Sequence, residues 1–181
     1  MPKQRDAERS RAKILEAAQE AFARDGYAQT GIRDIAEMAG VSSTLLLRYY
    51  GSKAGLFEAA LIAAMPLDEV LARGKDGFGE FVAALISRPD MDIKPPAMIA
   101  LAAGDCEARE IAARITQERA VAPLAKWLGG PDARVRAAEI VSLAVSFVLF
   151  TRHIPLMGEA GARKRAKRLA EALQAIVDQS G

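Results

Sequence analysis

The stretch Arg33–Lys53, RDIAEMAGVSSTLLLRYYGSK, decides the fold. Its apolar residues first repeat at helical spacing up to Gly40, which ends that helix because a glycine takes a left-handed backbone at little cost. Ser42 is a good N-cap for the next helix, which must be short because Gly51 interrupts it. Two short helices joined by AGVS are typical of a helix-turn-helix, whose tight turn commonly needs glycine.

The flanking sequence extends this helical pattern. Upstream, an apolar stripe at spacings of three and four predicts a first helix, which Gly26 ends. Either Thr30 or Gly31 caps the second helix, and Ser52 caps a fourth helix. We therefore predict an N-terminal helix-turn-helix module over residues 1–65, with a basic arm over about residues 1–11.

Residues 66–181 are predicted to form a larger helical body, so that the fold class is all-α. Apolar residues recur at three and four, and no segment alternates with period two as a half-buried strand does. The stretch RPDMDIKPPA, residues 88–97, is predicted to be a loop because its prolines disfavour a helix. Helices are predicted over residues 78–87, 132–153 and 162–177, and a further helix runs from Asp105 through Val121, with Pro123 bending or dividing it before Trp127.

Composition limits the function class. The 181 residues contain 25 basic and 23 acidic side chains, one cysteine and one histidine. Cys106 has no partner for an intramolecular disulfide, and with His153 it cannot complete the usual structural zinc sets, so no metal or cofactor is expected. The first residues lack the apolar core of a secretory signal, and the apolar run Ile140–Phe150 is too short to span a bilayer. A cytoplasmic protein without membrane contact is expected.

The run ILEAAQEAFARDGYAQTGIRDIAEMAGVSSTLLLRYYGSKAGLFEAAL, Ile14–Leu61, resembles the DNA-binding module of the tetracycline-repressor (TetR) family of transcriptional regulators. Its pieces ILEAA, GY, RDIAEMAGVS, an aromatic pair and GSK occur in the order and spacing of that family. The resemblance implies an all-helical homodimer whose two recognition helices enter successive major grooves of a palindromic double-stranded operator. It also implies a repressor whose body binds a small apolar effector that releases the DNA.

The third helix separates core residues from residues that face DNA. With Leu46 centred on the buried side and 100° per residue, Thr44 and Arg48 lie about 160° away. They are the candidate base readers, because arginine donates two hydrogen bonds to guanine and threonine offers a hydroxyl and a methyl group. The alternative for Arg48 is a solvated surface arginine. Leu45, on the shoulder of the helix, is expected to contact a thymine methyl group.

Further DNA contacts are expected beside this face. Lys53 opens the fourth helix, where a cation is unfavourable with the helix dipole unless an anion such as a phosphate is near. Tyr49 either hydrogen-bonds a phosphate or covers the small core, and Ser43 either touches a base edge or is a plain surface residue. Arg33 either contacts DNA or pairs with Glu37.

Two polar residues near the helix starts complete the predicted DNA site. Ser42 is chiefly a cap, although the free N–H groups beside it can meet a phosphate. The resemblance places Thr30 and Gly31 where relatives carry two hydroxyl residues. We therefore expect Thr30 to contact DNA and Gly31 to lack that contact. Leu47 stands where relatives usually have tyrosine.

Two basic runs lie outside the helix-turn-helix. The arm is expected to track phosphates, to enter a minor groove or to be disordered. The second run is predicted to be a solvated face at the start of the last helix. The arm contains Lys3, Arg5, Arg9 and Arg11, and the second run contains Arg163, Lys164, Arg165, Lys167 and Arg168.

Candidate dimer and effector residues lie in the body. The predicted dimer interface consists of two small serines one turn apart and the apolar stripe of the last helix. The alternative for the serines is that they fill space in the core of a monomer. Those residues are Ser142, Ser146, Leu169, Leu173 and Ile176. The predicted effector residues are Met91, Met98, Trp127, Phe147 and His153. The alternative for each is ordinary core packing, and for His153 also a position that stabilises the helix C-terminus.

Two other function classes compete with a DNA-binding regulator. An enzyme is not expected, because a Ser/His/Asp or Cys/His arrangement would have to use His153, which no nucleophile motif accompanies. The main alternative is a helical adaptor whose helix-turn-helix packs on protein.

Overall fold

A computed structural model describes residues 2–65, 67–88 and 93–179 of the chain, with side chains from residue 5 onward. These residues form helices joined by short turns and contain no β-strand, which confirms the all-α prediction. The helices are α1 Pro2–Gln29, α2 Ile32–Met38, α3 Ser43–Tyr50, α4 Lys53–Ala63, α5 Leu67–Leu71, α6 Phe78–Ser87, α7 Lys94–Leu101, α8 Cys106–Thr116, α9 Ala122–Leu128, α10 Ala133–Val148 and α11 Glu159–Asp178. Short π-helical segments, Gln117–Val121 and Leu149–His153, precede α9 and follow α10.

The first helix is longer than predicted. It begins at Pro2, so residues 2–11 are the first turns of α1 and not a separate arm. Gly26 interrupts α1 with φ of 76° and ψ of 167°, and one further turn reaches Gln29. Gly26 therefore kinks α1 at the position where the sequence predicts the end of the helix. Its positive φ is one that residues other than glycine rarely adopt.

The starts of α2, α3 and α4 are defined by caps. Gly31 is the N-cap of α2, and its N–H donates to the Asp34 carboxylate at 3.2 Å. The Ser42 hydroxyl accepts from the Leu45 N–H at 3.2 Å, and the Ser52 hydroxyl accepts from the Gly55 N–H at 3.0 Å. The predicted starts of α3 and α4 are confirmed, and the cap of α2 is the glycine rather than Thr30.

The segment predicted as a loop over residues 88–97 contains the start of a helix. Lys94, Pro95 and Pro96 form the first turn of α7. Proline is tolerated there because the N–H groups of the first turn have no intrahelical acceptor. The helix packs on α1 and buries Met98 completely.

The helix predicted over residues 78–87 is confirmed, whereas α11 begins at Glu159 and not at residue 162. The Asp105 carboxylate caps α8 by accepting from the Ala108 N–H at 3.0 Å, and α9 begins at the predicted division beside Pro123. Asp132 precedes α10 with a left-handed backbone, φ 53°. The second basic run lies at the start of α11, where its members are exposed as predicted except for Arg165. That arginine is half-buried, with its guanidinium carbon 5.6 Å from the centre of the Phe147 ring.

Helix α11 is covered by α6 within a single chain. Leu169, Leu173 and Ile176 are at most 7% exposed, and the close approach of Gly79 in α6 lets its N–H donate to the Gln174 side chain at 3.1 Å. The prediction that these three apolar residues form a dimer interface is therefore wrong, because their own chain already buries them. Ser142 is exposed and Ser146 half-buried; both donate to carbonyls of their own helix α10.

The N-terminal module and the body share a continuous core. Helix α1 packs on α7, and α4 packs on α8. Two polar contacts join the module to α8: from α1 the Tyr27 hydroxyl donates to Glu107 at 2.6 Å, and from α4 Glu58 pairs with Arg114 at 2.7 Å. The predicted boundary residue 66 lies outside the described residues, and a division there remains an interpretation. No helix in the described part of the chain is long and apolar enough to cross a membrane.

Candidate nucleic-acid interface

Helix α3 presents one polar face to solvent. Leu46 is fully buried beneath it, whereas Thr44 and Arg48 are both exposed. Leu45 is half-buried and Leu47 is 39% exposed, so the leucine run divides between the core and the two shoulders of the helix. This burial pattern is the one predicted from the helical wheel, and it leaves an arginine and a threonine one turn apart on the outer side of α3.

A cluster of cations borders this face. The guanidinium carbons of Arg11 and Arg48 lie 4.8 Å and 5.6 Å from the centre of the Tyr49 ring, within the range of cation–π attraction. The neighbouring Tyr50 hydroxyl donates to the Arg11 carbonyl at 3.2 Å, and burial raises the pKa of this phenol. Residues 2–11 belong to α1, and Arg11 lies beside α3.

Lys53 is held over an aromatic ring at the start of α4. Its ammonium lies 4.2 Å from the centre of the Tyr27 ring, which is 5% exposed and packs against Phe22 and Phe57. Burial raises the pKa of the Tyr27 phenol, and the hydrogen bond to Glu107 raises it further. Lys53 lies over one face of the Tyr27 ring, and the Tyr27 hydroxyl donates to Glu107 in α8 of the body. Sequence reasoning missed Glu107, since nothing local links residues 80 positions apart.

The remaining predicted DNA residues lie in different surroundings. Thr30 is only 4% exposed, and its hydroxyl donates to the Gly26 carbonyl at 2.7 Å, so the prediction that Thr30 contacts DNA is wrong. Ser42 is exposed and acts as the cap of α3, and Ser43 is half-buried in the first turn. Arg33 is exposed on α2, and among the described residues it forms no ion pair with Glu37.

The body contains an apolar cavity of about 470 Å³. Its walls come from the end of α4, from α5, α6, α9 and α10, and from the start of α7, while Gln19 of α1 contributes an amide. The volume is in the range of small-molecule sites. Polar groups at the wall are few, chiefly Gln19, Lys94 and Arg119.

None of the predicted effector residues that the structure describes lines this cavity. Met98 and Phe147 are core, and Trp127 packs on Phe78 with ring centres 5.1 Å apart. His153 lines a smaller cavity of about 210 Å³ beside α1, and Met91 lies outside the described residues. The sequence favours bulky and polarisable side chains as candidates, but the walls are mainly aliphatic residues at positions that only the packing of several helices brings together.

Comparisons with known proteins agree with this geometry. Residues 14–60 match the family model described as bacterial regulatory proteins, tetR family, and residues 76–177 match the tetracyclin repressor-like C-terminal domain. Over 75 residues the chain is 37% identical to the HTH-type transcriptional regulator TtgR of Pseudomonas putida, a match that covers 41% of this chain and 36% of TtgR. The aligned segment thus spans about a third of that relative.

Solved structures with a similar fold cover nearly the whole chain. A TetR-family transcriptional regulator from Rhodococcus sp. superposes with a TM-score of 0.72 at 19% identity, over 94% of this chain and 99% of that one. NalD, the secondary repressor of the MexAB-OprM multidrug efflux pump in Pseudomonas aeruginosa, gives a TM-score of 0.62 at 21% identity, over 93% and 95%. The helix-turn-helix match over residues 14–60 and the match of the body over residues 76–177 together show that this chain belongs to the TetR family of bacterial regulatory proteins.

Proposed function

We propose that the protein is a repressor that binds a palindromic operator as a homodimer and is released when a small molecule enters the cavity of the body. The outer face of α3 carries this proposal. Thr44 and Arg48 are exposed there, above a buried Leu46, so a major groove can receive α3 without disturbing the core.

The neighbouring cations support a role in holding the DNA backbone. Arg11, Arg33 and Lys53 come from three different helices that flank α3. Contacts to phosphate position a protein on the duplex without specifying sequence. Arg48, in contrast, can specify guanine by donating to the O6 and N7 atoms of the base. Ser43, Tyr49 and Leu45 are proposed as accessory contacts on the same surface.

A second copy of the chain is proposed to pack on α10. The exposed side of α10 carries Ser142, and Val135 near the start of this helix is 66% exposed. Small residues such as Ser142 and Ser146 let helices approach closely. A two-fold dimer places two α3 helices at a fixed separation, which accounts for a palindromic site.

Random-site selection followed by binding measurements tests the proposal. The purified protein should enrich one palindrome, and its affinity should fall steeply with salt. Arg48→Ala should cost about 1–3 kcal/mol and relax preference at one base pair of each half-site, whereas Lys53→Gln should weaken all duplexes alike and reduce the salt slope by about 1. Lys126→Gln, an exposed change on α9, is the matched control.

Selection without any enriched sequence would overturn the proposal. Binding of a protein partner at high salt, with no DNA binding at low salt, would instead favour a helical adaptor.

A further inference from the structure

The Tyr49 ring on α3 has two arginines from different helices close to it. The guanidinium carbon of Arg48, the preceding residue of α3, is 5.6 Å from the ring centre, and that of Arg11 on α1 is 4.8 Å away. Both distances are within the roughly 6 Å over which a cation is attracted to the face of an aromatic ring. One ring therefore contacts both the proposed base reader and a cation from another helix.

The surroundings of Tyr49 hold its ring in place. The residue is half-buried and packs against the hydrophobic core. Its ring centre is 6.4 Å from that of Tyr50 at an interplanar angle of 79°, an edge-to-face arrangement that aromatic pairs favour. The Tyr50 hydroxyl donates to the Arg11 carbonyl, which joins the backbone of α1 to the end of α3 beside this ring. The Tyr49 hydroxyl itself forms no hydrogen bond within the described part of the chain.

The two arginines beside this ring have no carboxylate partner. Among the residues whose side chains the structure describes, no ion pair joins Arg11 or Arg48 to an acidic residue. Both side chains are exposed and permanently charged. Two like charges near one ring repel each other, and a phosphate group or the acceptor edge of a guanine relieves that repulsion. The arrangement therefore suits contact with a nucleic acid, and the ring is the group that keeps the two cations together.

We propose that Tyr49 is a positioning residue that orders Arg48 for reading a base and Arg11 for contacting a phosphate, and that it acts through its ring rather than through its hydroxyl. An arginine that is already ordered loses less rotamer entropy when it binds, so the ring raises both the affinity for the operator and the discrimination for guanine at the Arg48 position. The inference rests on the proposed DNA-binding function and names a determinant of specificity within that site.

Substitutions that keep or remove the ring provide the test, with the full chain and the operator found by random-site selection. Tyr49→Phe keeps the ring and should bind within about twofold of the unchanged protein. Tyr49→Leu and Tyr49→Met remove the ring and should weaken operator binding by about threefold to tenfold, as expected for losing cation–π contacts at an exposed site. Both should also lose about threefold of the discrimination against a base pair that replaces the guanine read by Arg48.

Removing the arginines separates positioning from a purely structural role. When Arg11→Gln and Arg48→Ala are both present, Tyr49→Leu and Tyr49→Phe should bind the operator with equal affinity at low salt, because the ring then has no cation to order. Phe81→Leu is the matched control, since the Arg73 guanidinium carbon lies 4.2 Å from the centre of the Phe81 ring on α6. Its loss should leave operator affinity and discrimination unchanged. Thermal unfolding of each variant verifies that the fold is retained.

Two results would overturn the inference while operator binding persists. If Tyr49→Phe loses as much affinity as Tyr49→Leu, the hydroxyl contacts the DNA and the ring does not position the arginines. If the difference between these two variants persists when both arginines are absent, the ring only supports the shape of α3. Selection that enriches no sequence would instead refute the proposed function, and this inference with it.

Discussion

Replacing Tyr27 with phenylalanine removes one contact between the N-terminal module and the body and retains the ring beneath Lys53. The lost bond is the 2.6 Å hydrogen bond from the phenol to Glu107. Hydrogen bonds to charged groups contribute about 1.5–3 kcal/mol, but Glu107 is exposed and becomes hydrated when its donor is removed. We therefore expect the free energy of unfolding to fall by about 1–2 kcal/mol.

Urea unfolding and a double-mutant cycle with Glu107→Ala measure this contribution. The two single changes should be clearly non-additive, with a coupling of about 1 kcal/mol or more, because both remove the same bond. Operator affinity should stay within about twofold in Tyr27→Phe, since the ring that faces Lys53 remains. Tyr50→Phe is the matched control: its hydroxyl donates to a backbone carbonyl near the surface, and its loss should cost less.

Additive effects in the cycle would refute the reasoning, because they would mean that Tyr27 and Glu107 stabilise the protein separately. A large loss of operator affinity in Tyr27→Phe would also contradict it, since the hydroxyl would then act on the DNA surface and not on the junction with α8.

Three further outcomes follow from the packing. The pKa of the Tyr27 phenol is raised above its ordinary value of 10.0. The protonated phenol therefore stabilises the fold fully below about pH 10, and this stabilisation is lost as the pH rises further. Urea unfolding should show a lower free energy of unfolding at about pH 11 than at about pH 9, and the difference should be smaller in Tyr27→Phe. Gly79→Ala should lower the melting temperature by several degrees, because a Cβ there would collide with the Ala170 carbonyl and lie 2.8 Å from the Gln174 nitrogen, both backbone atoms of α11. Leu46→Ala should cost about 2–5 kcal/mol in chemical denaturation, whereas Leu47→Ala, on the exposed shoulder, should cost much less.

Local patterns predicted the helix-turn-helix well. The caps Ser42 and Ser52 and the stop at Gly51 depend on hydrogen bonds and backbone angles within a few residues, so the sequence contains what is needed to place α3 and α4. The exposed positions of Thr44 and Arg48 followed from helical geometry in the same way.

Contacts between distant segments could not be predicted in this way. The bond from Tyr27 to Glu107 depends on how α1 lies against α8, and the walls of the cavity depend on how α4, α6, α7, α9 and α10 pack. No local periodicity encodes either arrangement. The prolines of α7 led to the prediction of a loop, but they lie in the first turn of a helix. Proline interrupts a helix in its interior and is compatible with the first turn. The stripe on α11 was correctly identified as buried, but its partner is α6 of the same chain.

One wall of the cavity belongs to the helices of the DNA-binding module. Gln19 of α1 lines the cavity, and its amide also donates to the Ala60 carbonyl of α4 at 3.1 Å. A substitution at Gln19 that reshapes the cavity would therefore also disturb the joint between α1 and α4. Val82 and Ile140 lie on α6 and α10, so substitutions there would change the shape of the cavity and leave that joint intact.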